Sequence, residues 1–177
     1  MTTLLPTPRT LQTGVTEDPT PWPGQCFGCS PDNPAGLQLR FHRTTAGCHA
    51  THTLEARHCG LEGMAHGGIV STLLDETAAW ALIMHTGCLG LTTRMEVHFH
   101  NPVRIGQTLS LEAWVVSRDG RRAGTRAEVR LPEGPVLASC EADWALASPG
   151  VVARMSGLDR TRLESFFRST GPAPGES

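Results

Sequence analysis

The sequence predicts an α+β fold in which antiparallel strands enclose one deeply buried helix. Three observations predict it. Alternating apolar runs recur at short intervals, a single stretch over residues 69–86 is apolar on nearly every helical face, and the order is two strands, that helix, then four strands. A chain of 177 residues can bury a sizeable core as one domain.

Residues 1–25 hold five prolines and show no periodicity. They are expected to form an extended N-terminal arm, laid down by Trp22. The domain proper is expected over 26–148. Leu37, Leu39 and Phe41 alternate along a first strand, and Cys48 to Leu54 supply a second after the turn at Ala46-Gly47. Residues 58–65, with Gly60 and Gly63, read as a loop running into His66-Gly67-Gly68. The helix that follows should end at Gly87. Four alternating runs come next, Thr93/Met95/Val97/Phe99, Leu109/Leu111/Ala113/Val115, Ala123/Thr125/Ala127/Val129 and Val136/Ala138/Cys140/Ala142/Trp144, separated by Pro- and Gly-containing turns. The tail, 149–177, contains a short helix from Asp159 to Arg168 with Leu163, Phe166 and Phe167 on its adhesive face.

A formal charge of −2 gives no electrostatic footprint for nucleic acid or an anionic membrane, so neither is an expected partner. All fifteen basic residues are arginine, which grips phosphate through a planar fork. The longest apolar stretch, Gly67 to Met84, carries Asp75 and Glu76 in its middle and is not a membrane span. The N-terminus lacks a basic segment followed by an apolar run, and six cysteines without an export signal point to a reducing, cytoplasmic location.

The chemistry gathers around the helix. Two glycines at a helix start leave outward-facing backbone N–H groups open to close approach by a carbonyl oxygen. Asp75 lies in an apolar helix, where an ionised carboxylate costs several kcal/mol to bury unless it is paired or working. Glu76 is the competing carboxylate. From His66 to Asp75 is nine residues, which at about 100° and about 1.5 Å each gives half a turn beyond two full turns and a rise of roughly 13.5 Å. The two cannot serve one reaction centre inside a single chain. A two-fold dimer can bring the His-Gly-Gly end of one subunit to the Asp75 face of the other, so an obligate dimer is expected.

The string HGGIVSTLLDETAAWA (66–81), with CFGCSPDNPAGLQLRF (26–41) before it and TTRMEVHFHNPVRIGQTL (92–109) after it, resembles the hotdog-fold acyl-CoA thioesterases of the PaaI-like, phenylacetate-degradation group. The likeness runs in order over about residues 26–147. It implies a hotdog fold, a curled antiparallel β-sheet wrapped around a long central α-helix, and homodimers or dimers of dimers. It also implies hydrolysis of an acyl- or aryl-CoA to free acid and coenzyme A. In that light the backbone N–H of Gly67 or Gly68 polarises the thioester carbonyl, His66 shapes the hole, and Asp75 of the partner chain is the general base or the nucleophile. Thr92 matches the position that places water or the carboxylate, with Thr93 its substrate-facing neighbour. Some relatives carry Asn or Gln six or seven residues before the His, where this chain has Gly60 and Cys59.

Coenzyme A phosphates would meet Arg104, Arg121, Arg122 or Arg126, although Arg121-Arg122 equally suits a solvated hairpin tip. Acyl-chain preference is expected to depend on a pocket beside Trp80, Met84, Met95 and Phe99. Two other readings are a non-catalytic acyl-CoA-binding module and an enoyl-CoA hydratase, the latter disfavoured by the His66–Asp75 separation. No cofactor and no metal are expected. Cys26-Phe27-Gly28-Cys29 would need adjacent His58 and Cys59 as its other zinc ligands, an awkward geometry, and a turn packed on the first strand is preferred.

Overall fold

The computed structural model describes residues 20–172 and, apart from these, the two-residue strand β1 (Thr3–Leu4). Most of the expected N-terminal arm therefore lies outside the described residues. The elements that follow are β2 (His42–Arg43), β3 (Gly47–Thr53), a 3-10 turn (Ala56–His58), β4 (Cys59–Leu61), β5 (Met64–Ala65) and α1 (Gly67–Thr86). After them come β6 (Leu89–Phe99), β7 (Thr108–Asp119), β8 (Arg122–Arg130), β9 (Val136–Ala147), α2 (Pro149–Ser156) and α3 (Arg160–Thr170).

The main sheet is antiparallel in the order β2-β3-β7-β8-β9-β6, with β1 pairing the end of β7. The helix between the strand groups packs against β3, β6, β7, β8 and β9, so the sheet curls around it. The alternation read from the sequence is the cause. Leu109, Leu111, Ala113, Ala127, Val129, Ala138, Cys140 and Trp144 all point inward and are buried, as are Leu73, Leu74, Ala78, Ala81 and Leu82 of α1. Trp144 satisfies its indole N–H on the buried Thr125 hydroxyl at 2.7 Å. Gly87 caps α1 at φ 64°, and Gly90 lets β6 press on the helix, since a Cβ there would lie 2.6 Å from Leu82 Cδ1 and from Trp144.

Three expectations change. The segment 36–41 is not a strand of the main sheet: the Leu37 and Leu39 amides donate to the Phe27 and Gly28 carbonyls, and Gln38 sits at φ 51°, so the run kinks against the Cys26–Cys29 turn while still burying Leu37, Leu39 and Phe41. The loop over 58–65 contains the β4–β5 ribbon, turned at Gly63 with φ 71°. The tail has a further helix, α2, which opens on Pro149-Gly150, a pair that reads as a break in the sequence. The expected tail helix is α3, capped by Asp159, whose side chain accepts from the Arg162 amide at 2.8 Å.

These tail helices complete the core. Phe166 is buried edge-on against Trp80 (5.8 Å between centroids) and Trp22 (5.2 Å), and Trp80 in turn stacks on Phe41. Arg43 donates to the Met84 carbonyl near the end of α1 and to the Thr170 and Gly171 carbonyls at the end of α3, the last at 2.7 Å. One guanidinium thus satisfies the exposed carbonyl ends of two helices.

Candidate active site

The start of α1 is built by His66. Its carbonyl accepts from the Ile69 and Val70 amides, and its Nδ1 accepts from the Gly68 amide at 2.9 Å, an imidazole N-cap. This separates the two glycines. The Gly68 N–H is used inside the chain, whereas the Gly67 N–H has no acceptor among the described residues and sits at the positive end of a helix of 20 residues. An accepting Nδ1 fixes the neutral tautomer with hydrogen on Nε2, which makes the outer edge of the ring a second donor.

Gly60 holds this arrangement from behind, because a Cβ there would come within 2.8 Å of His66 Cα and 3.2 Å of its Cβ. The place where some relatives carry an amide side chain is closed here by contact between ribbon and helix start. A groove of about 510 Å³ opens at this end, lined by Leu61, Met64, His66, Gly67, Phe99 and Pro102 among others. Its rim is apolar and bare: Phe99 is 57% and Leu61 68% exposed. Asp75 is not part of the groove.

Asp75 lies half-buried farther along α1, and its Oδ1 accepts from the Thr92 hydroxyl at 2.8 Å. A register slip of β6 against β9 between Thr92 and Arg94 brings this about. Thr92 faces the helix, while the Thr93 hydroxyl donates to the Asp143 carbonyl at 2.9 Å. Burial raises the Asp75 carboxyl above its ordinary range, opposed by the Thr92 hydrogen bond. Glu76, the competing carboxylate, turns instead to Cys26, whose thiol donates to its Oε1 at 3.2 Å. Burial pushes Glu76 up to about 8. Asp75 also faces Cys140 from β9, whose thiol burial raises to about 12.

The arginines divide between the two ends of the sheet. Arg104 bridges Met64 beside the groove. Arg121 and Arg122 are exposed at the β7–β8 hairpin tip, where Arg122 is opposite Ala145 and Ala145 opposite Leu91, next to Thr92. Arg126 pairs with Glu141 at 2.6 Å on the outer face. Of the residues expected to line an acyl pocket, Phe99 reaches the groove, whereas Met84 is fully buried and Trp80 lies under Phe41 and Phe166. Their helical spacing could not separate core from pocket. His98 of β6 and His100 just past its end are exposed, their rings stacked at 6.3 Å.

A long helix embraced by a curled antiparallel sheet, with a His-Gly-Gly start and a mid-helix acid, defines a hotdog domain. Residues 62–138 match the family model of the thioesterase superfamily, and the architecture is that of a hotdog fold. The chain is 26% identical over 78 residues to acyl-coenzyme A thioesterase THEM4 of Xenopus laevis, a match that spans 44% of this chain and 35% of that one. A crystal structure of a thioesterase superfamily protein superposes with a TM-score of 0.62 at 25% identity, covering 68% of this chain and 60% of the other. The chain thus spans less than two thirds of both relatives. The PaaI protein of the E. coli phenylacetic acid degradation operon shares the fold, with a TM-score of 0.57 at 20% identity over 62% of this chain and 83% of its own. Among the described residues, no helix is long and apolar enough to cross a membrane.

Proposed function

We propose that the protein is an acyl-CoA thioesterase that hydrolyses an acyl- or aryl-CoA to free acid and coenzyme A, at two equivalent sites between the subunits of a homodimer. The observation that carries this reading is the hydrogen-bonded Asp75–Thr92 pair, a half-buried carboxylate oriented by a hydroxyl on one side of α1. The donors free to receive an oxyanion, Gly67 N–H and His66 Nε2–H, belong to a groove that excludes Asp75. A second copy supplies the missing half. The long edge strand β6 supports such a contact, with Leu91 and Phe99 exposed and Met95 and Val97 half-covered. Two such dimers associating as a dimer of dimers is compatible with the same edge contact.

In this reading the thioester carbonyl oxygen lies at the Gly67 amide of one subunit, and the partner subunit's Asp75 takes a proton from water. Thr92 occupies Oδ1, which leaves Oδ2 for that water. The water oxygen bonds to the carbonyl carbon, the charge moves to the oxyanion, and collapse of the tetrahedral species breaks the C–S bond. Coenzyme A leaves as thiolate and takes up the proton held by Asp75. A thiolate leaves without strong acid assistance, so one base and two donors suffice. Alternatively Asp75 is the nucleophile: its carboxylate bonds to the carbonyl carbon, the C–S bond breaks to release coenzyme A thiolate, and water then hydrolyses the acyl-Asp75 anhydride, with Gly67 and His66 donating to the oxyanion in both steps. Arg104 at one end, and Arg121 and Arg122 at the other, would meet the phosphates, and the location would be cytoplasmic.

The test is steady-state hydrolysis of short-, medium- and long-chain and aryl-CoA thioesters, read by free thiol. Asp75→Asn should lower kcat by about 10²–10⁴-fold with folding intact. Binding without hydrolysis across the panel would instead make this an acyl-CoA-binding module, and a near-normal Asp75→Asn rate would remove Asp75 as base or nucleophile.

A further inference from the structure

We propose that Cys26, Cys29 and Glu76 form a binding site for one thiophilic divalent cation of the zinc class, which staples the turn ahead of the core strands to the central helix. The site is separate from the hydrolytic machinery and does not depend on that reading.

The geometry points to it. Residues 26–29 fold into a tight turn, in which the Cys29 amide donates to Cys26 Sγ at 3.3 Å and the Ser30 amide to the Cys26 carbonyl at 3.2 Å. Both thiols therefore face one side. The two sulfurs and a Glu76 carboxylate oxygen all lie within 4.8 Å of one another, and Cys26 Sγ to Glu76 Oε1 is 3.2 Å. Metal–sulfur bonds of about 2.3 Å and metal–oxygen bonds of about 2.0–2.2 Å require tetrahedral edges of roughly 3.8 Å between sulfurs and roughly 3.5 Å between sulfur and oxygen. The three donors are thus close to the required spacing, with one tetrahedral position left for water.

Gly28 supplies a second argument. A Cβ at this position would lie 2.1 Å from Glu76 Cγ and 2.3 Å from its Cδ, so only glycine lets the carboxylate rest against the turn. Apolar packing alone would not require a carboxylate there. The donors bring no compensating charge with them, since none of the ion pairs among the described residues includes Glu76. Two thiolates and one carboxylate favour zinc over magnesium or calcium, which prefer all-oxygen sets. The partners that the sequence offered do not join the cluster, which among the described residues holds Cys26, Cys29 and Glu76: Cys59 Sγ donates to the Leu61 carbonyl at 2.7 Å, and His58 Nδ1 accepts from the Glu55 amide at 3.1 Å. The third donor escaped the sequence reading because it lies far along the chain, on a helix.

The full chain, purified in reductant and stripped with chelator, is titrated with Co²⁺ and then with Zn²⁺. One equivalent of Co²⁺ should give a thiolate-to-cobalt charge-transfer band and the intense visible bands of a tetrahedral ion, and Zn²⁺ should bleach both. Cys26→Ser and Cys29→Ser should each weaken binding by more than the ~10–100-fold that loss of an outer-shell partner costs. Glu76→Gln should keep the charge-transfer band but bind at least ~10-fold more weakly, and Cys59→Ser should bind as wild type. If a cysteine variant fails to fold, the wild-type protein still decides, because one equivalent of Zn²⁺ should raise its Tm and chelator should lower it. Absence of the charge-transfer band, binding unchanged in either cysteine variant, full affinity in Glu76→Gln, or a Tm indifferent to Zn²⁺ would overturn the site.

Discussion

Subunit complementation tests the proposed shared site most directly. His66 and Asp75 are separated by half a turn and roughly 13.5 Å of helix rise, so each site in a two-fold dimer takes one from each chain. Asp75→Asn damages the base half of both sites, and His66→Ala the donor half of both. In a mixed dimer one site joins the intact Asp75 of one chain to the intact His66 of the other, and the second site carries both lesions. Random exchange of equal amounts makes about half of the dimers mixed, each with one of its two sites whole, so the mixture should recover about one quarter of wild-type activity. The assay is thiol release after co-refolding or co-expression with two affinity tags, with the doubly tagged species isolated and assayed at half of wild-type activity. Two inactive variants that stay inactive when paired, or an active monomer by sedimentation, would refute the argument.

Thr92→Val should lower kcat about 10–100-fold, the equivalent of the 1.5–3 kcal/mol assigned to a hydrogen bond with a charged partner, with little change in thermal stability. Because burial raises Asp75 and the ionised form is the base, kcat/KM should fall toward acid pH with a midpoint above the usual carboxylate range. Thr92→Val should move that midpoint upward, since it removes the interaction that lowers the Asp75 pKa; an unmoved or lowered midpoint would assign the acid limb to another group. Gly60→Gln should not install a useful amide but push against His66, lowering thioesterase activity and costing about 1–3 kcal/mol in urea denaturation. Phe166→Ala should cost about 3–5 kcal/mol by the same measurement, because it empties a fully buried site between Trp22 and Trp80.

The sheet and helix were legible because period-2 and all-apolar patterns map directly onto buried faces, from Leu109 to Trp144 and from Leu73 to Met84. Leu37, Leu39 and Phe41 show the limit of that rule. Their alternation reported burial correctly, but the hydrogen bonds go to a nearby turn, which periodicity does not encode. At the candidate site, Asp75 stood out as an acid in an apolar helix, and Thr92 was placed by resemblance. The roles of the two glycines differ through the imidazole cap, a contact legible only from the position of His66 just before the first helical residue. Gly60 and Glu76 stand out in the sequence, one as a departure from relatives and one as a competing carboxylate, but their contacts with His66 and with the Cys26–Cys29 turn are tertiary and carry no sequence pattern.

Arg43 has a bearing on how the chain can be shortened. By holding the carbonyl termini of α1 and α3 at once, it makes the last helix a bracket for the central one. Trimming the tail after Ser148 would strip Phe166 from Trp80, unveil an oily slot beside Phe41 and take from the Arg43 guanidinium the Thr170 and Gly171 carbonyls it donates to. Such a minimal version should be sticky and prone to clump, whereas the chain that keeps its final helices carries its own cover.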